Sequence, residues 1–152
     1  MLTYMKNRFE SANKYYNHFV SSEVFYNFQN SFLITDGIFE IAGEEECFWF
    51  LKIIADAQEY LKNFPLQNWV LGRVVNNEFL IKATDIEGKI IFEKRVLDYK
   101  FFFNEFVVCI SDSLIMLPSE YKSATRTQLK ITANPYYLKY QLVNIDVAKR
   151  IV

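Results

Sequence analysis

The apolar period of this chain changes at Pro65, and that change limits the architecture more than any other feature. Upstream, Cys47, Phe50, Leu51, Ile54, Gln58 and Leu61 recur at helical spacing, with Phe48 and Ala55 widening the stripe. The spacing predicts a helix over 44–62, with Glu44, Glu45 and Glu46 in its first turn, Lys62 in its last, and Pro65 as its stop. Downstream, the period is two. Trp69, Leu71 and Arg73 to Val75 read as a strand, Asn76-Asn77 as a hairpin turn, and Phe79, Ile81 and Ala83 as the inward face of the return strand. Asp85 to Gly88 is a second turn, and Lys89 to Val96 a third strand. Strands joined this tightly pair antiparallel, and the apolar stripe of the helix has to be buried on their sheet.

Two further strands are expected at Phe106 to Ile110 and Ser113 to Leu117, turned at Ser111-Asp112. Pro118 to Tyr121 closes the sheet. Asp98 to Phe103 is a crowded aromatic connection in which Phe101, Phe102 and Phe103 cannot all face inward, because successive extended residues alternate. Ahead of the main helix, Phe9, Tyr16 and Val20 are spaced for one side of a helix, and residues 24–34 read as a loop with a short strand near Ser31 to Ile34. Thr35-Asp36-Gly37 is a turn signal. The fold expected is α+β: one main helix packed on a mostly antiparallel sheet of four to six strands, with N-terminal helical elements and a C-terminal extension.

At 152 residues with 51% apolar content, the chain suits one domain around a real core, here residues 1–121. Residues 122–152 differ in composition. They carry six Lys/Arg against the single acid Asp146, whereas residues 1–121 carry 11 Lys/Arg against 17 Asp/Glu. This basic extension adds Tyr136, Tyr137 and Tyr140, and its later alternation is compatible with one more strand. Cations interleaved with aromatic faces suit a protein interface or single-stranded nucleic acid. The partner-binding candidates are therefore Lys122, Arg126, Lys130, Tyr136, Tyr137, Lys139 and Tyr140.

Chemistry-bearing groups are few. Glycines stand only at 37, 43, 72 and 88, so neither GxGxxG nor GxxxxGK[ST] can be built, and no GxSxG elbow occurs. Cys47 and Cys109 have no metal-ligand spacing and read as small core residues of a reduced compartment. Asp36, Glu40 and Glu44 to Glu46 lack the alternating pattern of a calcium loop. No cofactor is called for. His18 is the one histidine; as a general base it would need a carboxylate such as Asp36 or Glu120 beside it. The opening residues form no secretory signal and no apolar run approaches a membrane span, so a soluble protein in the cytoplasm of a bacterial host is expected, with no membrane partner.

Several stretches, in order, carry a resemblance: Tyr15-Tyr16-Asn17-His18; Thr35-Asp36-Gly37; Phe48-Trp49-Phe50-Leu51 through Ile54-Ala55 to Gln58; Gln67-Asn68-Trp69-Val70-Leu71; Asp98-Tyr99; and Leu117-Pro118-Ser119-Glu120-Tyr121. Over residues 9–121 the chain resembles a family of short, uncharacterised bacterial and phage proteins, a domain of unknown function. It departs from the pattern at Lys52, at Asp56-Ala57 and in lacking a proline after Tyr99. The resemblance implies a phage or mobile-element context. The function expected is a non-enzymatic binding protein, in its sharpest form a counter-defence inhibitor of the anti-CRISPR kind that occludes a host protein or ribonucleoprotein surface. The alternatives are a small enzyme using His18 and a nucleic-acid-binding accessory protein.

Overall fold

A computed structural model describes residues 5–22, 24–121 and 142–144. Its centre is the meander expected after Pro65: β1 and β2 are reached earlier in the chain, at Phe25–Phe28 and Phe32–Thr35, and the meander is β3 (Leu66–Val75), β4 (Glu78–Thr84) and β5 (Ile90–Val96). The turn at Asn76 is left-handed, a conformation that asparagine tolerates well. Phe79, Ile81 and Ala83 are all fully buried, as their alternation requires. The chain then returns beside β3 as β6 (Glu105–Ser111) and turns through left-handed Asp112 into β7 (Leu114–Met116).

The sheet order is β5-β4-β3-β6-β7-β2-β1, with β8 (Leu142–Asn144) added in parallel beside β1. Of the seven pairings, five are antiparallel, while β2–β7 and β1–β8 are parallel. The sheet thus has more strands than the four to six expected. The strand not foreseen is β1, which lies in the stretch read as loop; its partner β2 is the short strand expected near Ser31 to Ile34, and β8 falls in the extension whose alternation is compatible with one more strand. Phe25 and Phe28 are fully buried at the two ends of β1, but the two residues between them break the alternation that would have marked the strand.

The helical layer also departs from expectation. It is two helices rather than one: α2 (Asp36–Glu44) and α3 (Phe48–Ala57), followed by a 3-10 turn at Gln58–Tyr60. Thr35-Asp36-Gly37 is the start of α2 and not a turn between strands: the Thr35 hydroxyl caps the helix by accepting from the Ile38 N–H at 3.3 Å, and Asp36 sits at the favoured positive end. Helix α2 stops because Glu46 takes a left-handed φ of 52°, which lets the Cys47 N–H reach back to the Ala42 carbonyl at 3.0 Å. The three glutamates therefore end one helix instead of opening another, and Lys62 falls beyond the last turn.

The N-terminal helical element is present but shorter than the spacing of Phe9, Tyr16 and Val20 suggests. Helix α1 is only Ala12–Tyr15, and Phe9 and Val20 are exposed while Tyr16 is buried. This segment serves the sheet instead. Strand β7 is too short to cover all of β6, so the Asn13 side chain takes the vacant place. It donates to the Val107 carbonyl and accepts from the Val107 N–H, both at 2.7 Å, with a bridge between Ser11 and Glu105 beside it. The main core lies between the helices and the β3, β4 and β6 face, where Phe50 meets Phe106 at 5.9 Å and Trp49 meets Phe79 at 6.2 Å. A smaller cluster, Phe25, Cys109, Leu114 and Met116, is packed separately from the main core.

Candidate functional site

The polar side chains of the core form two closed knots. In the first, Glu120 is fully buried, and its carboxylate accepts from the Thr35 hydroxyl at 2.7 Å and the Leu117 and Gly37 N–H groups at 3.0 and 3.3 Å. A Cβ on Gly37 would stand 2.9 Å from a Glu120 oxygen and 2.7 Å from a Leu117 methyl, so this position has to be glycine. Burial pushes the Glu120 carboxyl above its usual range, against the pull of those three donors. In the second knot, Gln67 exchanges two hydrogen bonds with Gln58, each 2.9 Å, accepts from the Trp69 indole at 2.9 Å and donates to the Phe64 carbonyl at 2.7 Å. The stretches Thr35 to Gly37 and Leu117 to Tyr121 thus meet in one knot, and Gln58 meets Gln67 and Trp69 in the other. Both knots are structural.

Of the resemblance residues outside the knots, Trp49 and the pair Asp98-Tyr99 meet in a cleft. Its volume is about 830 Å³, and it lies between the α2–α3 joint and the connection from β5 to β6. Tyr99 stacks on Trp49 with ring centroids 4.2 Å apart and planes 18° from parallel. Arg73 holds the connection in place: its guanidinium donates to the Asn76 and Phe101 carbonyls and lies 4.7 Å over the Phe79 ring. Phe101 and Phe103 turn inward and Phe102 outward, half-exposed at the cleft wall, which is the alternation expected of three successive phenylalanines.

The cleft is acidic. Glu44, Glu45, Glu46 and Asp98 line it against one cation among the described lining residues, Lys100. Glu45 is buried and committed, accepting from the Tyr16 hydroxyl and pairing with Lys6 at 2.7 Å. Burial first and this carboxylate second push the Tyr16 phenol far above its ordinary range. Glu44, Glu46 and Asp98 are exposed and have no ion-pair partner among the described residues. Glu44 and Glu45 also sit at the negative end of the α2 dipole, where an anion is disfavoured by about 0.3–1 kcal/mol. Both Glu46 and Asp98 have left-handed backbones, φ 52° and 64°. Beneath them, Trp49 is 7% exposed, and its indole N–H is the one buried side-chain polar atom without a hydrogen-bond partner among the described residues.

The chain belongs to a family of unknown function, DUF6876. The family model matches residues 10–121, which take in both knots and the cleft. No curated protein and no solved structure matches the chain. Outside the DUF6876 segment, Lys122, Arg126, Lys130, Tyr136, Tyr137, Lys139 and Tyr140 all lie beyond the described residues. His18 is exposed with its ring on Phe19, 4.2 Å between centroids. It makes no hydrogen bond to Asp36 or Glu120 among the described residues: Glu120 is enclosed in its knot, and Asp36 accepts from the Tyr26 hydroxyl at 3.3 Å. No three His, Cys, Asp or Glu of the described residues gather as a metal ion would need. Both cysteines are buried; burial pushes the Cys109 thiol up to about 12 and raises Cys47 further. Among the described residues no helix is long and apolar enough to cross a membrane.

Sequence reading missed the cleft because it placed Glu44 to Glu46 in the first turn of a helix, where their charges would be neutralised. A usable signal was present. The resemblance named a tryptophan and an Asp-Tyr pair that neither the helix stripe nor the strand alternation required.

Proposed function

We propose that this protein is a non-enzymatic binding protein whose acidic cleft receives a basic surface of a partner macromolecule. The observation that carries this reading is the imbalance in the cleft: three exposed carboxylates with no ion-pair partner among the described residues, beside half-exposed aromatic rings. The separation of His18 from Asp36 and Glu120 supports binding over the enzymatic alternative. The more specific form, a counter-defence inhibitor of the anti-CRISPR kind from a phage or mobile element, draws support from the family resemblance and from the opposed charges of residues 1–121 and 122–152. In that form the acidic face would cover a basic nucleic-acid channel of a host effector, and the tail would make a second contact on charge grounds.

The test is capture of bacterial host proteins by the full chain, set against a variant carrying Glu44→Lys, Glu46→Lys and Asp98→Lys. Retention that weakens steeply with salt and disappears in the variant supports the cleft as the contact. Partners held equally by both proteins would refute it.

A further inference from the structure

We infer that the place held by the Lys6 ammonium is a lysine-binding site, with Lys6 as its resident occupant and a lysine side chain of the partner as the ligand that replaces it. This rests on the binding reading above and names the cation that the partner brings. The site is already built. Its anion is Glu45, whose side chain is 3% exposed and whose Oε2 accepts from both the Lys6 ammonium, at 2.7 Å, and the Tyr16 hydroxyl. Its walls are the rings of Tyr15, Phe102 and Phe103, with centroids 5.7, 5.3 and 5.6 Å from the Lys6 nitrogen, within reach of cation–π attraction. These rings also pack on one another: Phe103 is fully buried, meets Phe102 edge-on at 5.1 Å and lies 5.5 Å from Tyr15. The contact with Glu45 is that of a point charge on one oxygen, which suits an ammonium better than the planar fork of a guanidinium.

Three features make Lys6 a replaceable occupant. It stands on residues 5–9, all exposed, ahead of the first backbone tie to the body among the described residues, where the Arg8 carbonyl accepts from the Asn104 N–H at 2.8 Å. Its side chain is 37% exposed, so the pocket around it is not sealed. Glu45 and Phe102 also line the cleft, so a cation arriving there is already at the edge of the site. A buried carboxylate stripped of its cation is strongly disfavoured, so Lys6 leaves only in exchange for another positive charge. The tether sets the terms of that exchange. An occupant on the same chain competes at an effective concentration of about 1 mM, which holds off isolated lysine. A lysine delivered on a surface that also meets the exposed cleft carboxylates overcomes it.

The test uses the full chain with Lys6→Ala, which empties the place and leaves its walls. n-Butylammonium chloride, the end of a lysine side chain as a free molecule, is expected to raise the thermal midpoint of this variant in a saturable titration. Sodium chloride or n-butanol at the same concentrations, and n-butylammonium on the parent chain, are expected to give no such rise. Adding Glu45→Gln to the variant is expected to abolish the response. Should Lys6→Ala be unfolded in plain buffer, the same titration reads its refolding. The blocked peptide acetyl-Gly-Lys-Gly-amide, followed by calorimetry, is expected to bind Lys6→Ala about tenfold more tightly than the parent, and its norleucine counterpart to bind neither. No response to n-butylammonium, or an equal response with Glu45→Gln in place, would overturn the site. A response to the amine with equal peptide binding by variant and parent would overturn the exchange and leave Lys6 as a staple of the fold. If amine and peptide bind as expected while the triple charge reversal leaves partner capture unchanged, the lysine site stands and the reading of the wider cleft falls. If they fail while the reversal abolishes capture, the lysine site falls and the binding reading survives.

Discussion

The Glu120 knot and the acidic cleft are made of the same kind of side chain and treat it in opposite ways. In the knot one carboxylate is stripped of water and given three donors, so that β2, α2 and the closing 3-10 turn are tied at a single point. In the cleft three carboxylates are left exposed with no donor among the described residues, and the Trp49 indole nearby has no acceptor among them. Burial with complete partnering is how a polar group contributes to a fold. Exposure without partners, at a fixed joint, is how it remains available to something else. The difference separates residues that build this domain from those that remain free for use.

That contrast breaks first at Glu120. Glu120→Ala leaves two buried N–H groups and a hydroxyl unpaired, with an expected loss of about 3–5 kcal/mol in urea unfolding; a loss near zero would show that the knot does not tie the fold. Gly37→Ala keeps every donor but forces a methyl against Leu117 and the carboxylate, and is expected to cost about 1–3 kcal/mol in the same assay. The pH dependence has a defined sign. The folded-state pKa of Glu120 is raised, so the native state holds this proton more tightly than the unfolded chain. Its contribution to stability is full below the ordinary glutamate range and declines as pH rises toward its own higher value. Unfolding midpoints followed across that interval should fall, and Glu120→Gln should remove this part of the slope.

The cleft carboxylates should behave in the opposite manner. Asp98→Asn and Glu46→Gln are expected to leave stability within about 0.5 kcal/mol of the parent while reducing partner capture. A large destabilisation would move them to the structural side. Smallest of all is the surface pair of Lys52 and Asp56, 2.8 Å apart across one turn of α3. Lys52→Ala should cost only about 0.3–0.5 kcal/mol, and less in high salt. These three outcomes, measured by the same unfolding curves, rank the carboxylates of the molecule by their structural weight.

The legible parts of this fold were those with a sustained period. The meander, its turns at Asn76 and Asp85 to Gly88, and the helical stripe ahead of Pro65 are long enough for alternation to outweigh local exceptions. The missed parts are short or interrupted. Strand β1 buries its first and last residues over only four positions, which breaks strict alternation. The Glu44 to Glu46 run suited the start of a helix on charge grounds, and only the left-handed turn at Glu46, an uncommon choice without glycine, makes it an end. The cleft was illegible for a different reason. Its walls come from residues 42–46 and 48–49, from Asn77 and from residues 98–102, brought together in part by the return of the chain from the outer strand β5 to a place beside β3. Spacing along the chain carries no trace of such a meeting.

The amide of Asn13 has a consequence for any shortened form of this protein. By occupying the backbone of Val107 it covers, on the side away from β3, a part of β6 that no strand of the described residues reaches. Chains cut after this residue would display an open ladder of donors and acceptors, the template on which foreign strands assemble. Such fragments should recruit added strands at β6 more readily than the intact chain does, a difference that sedimentation of the two forms would read.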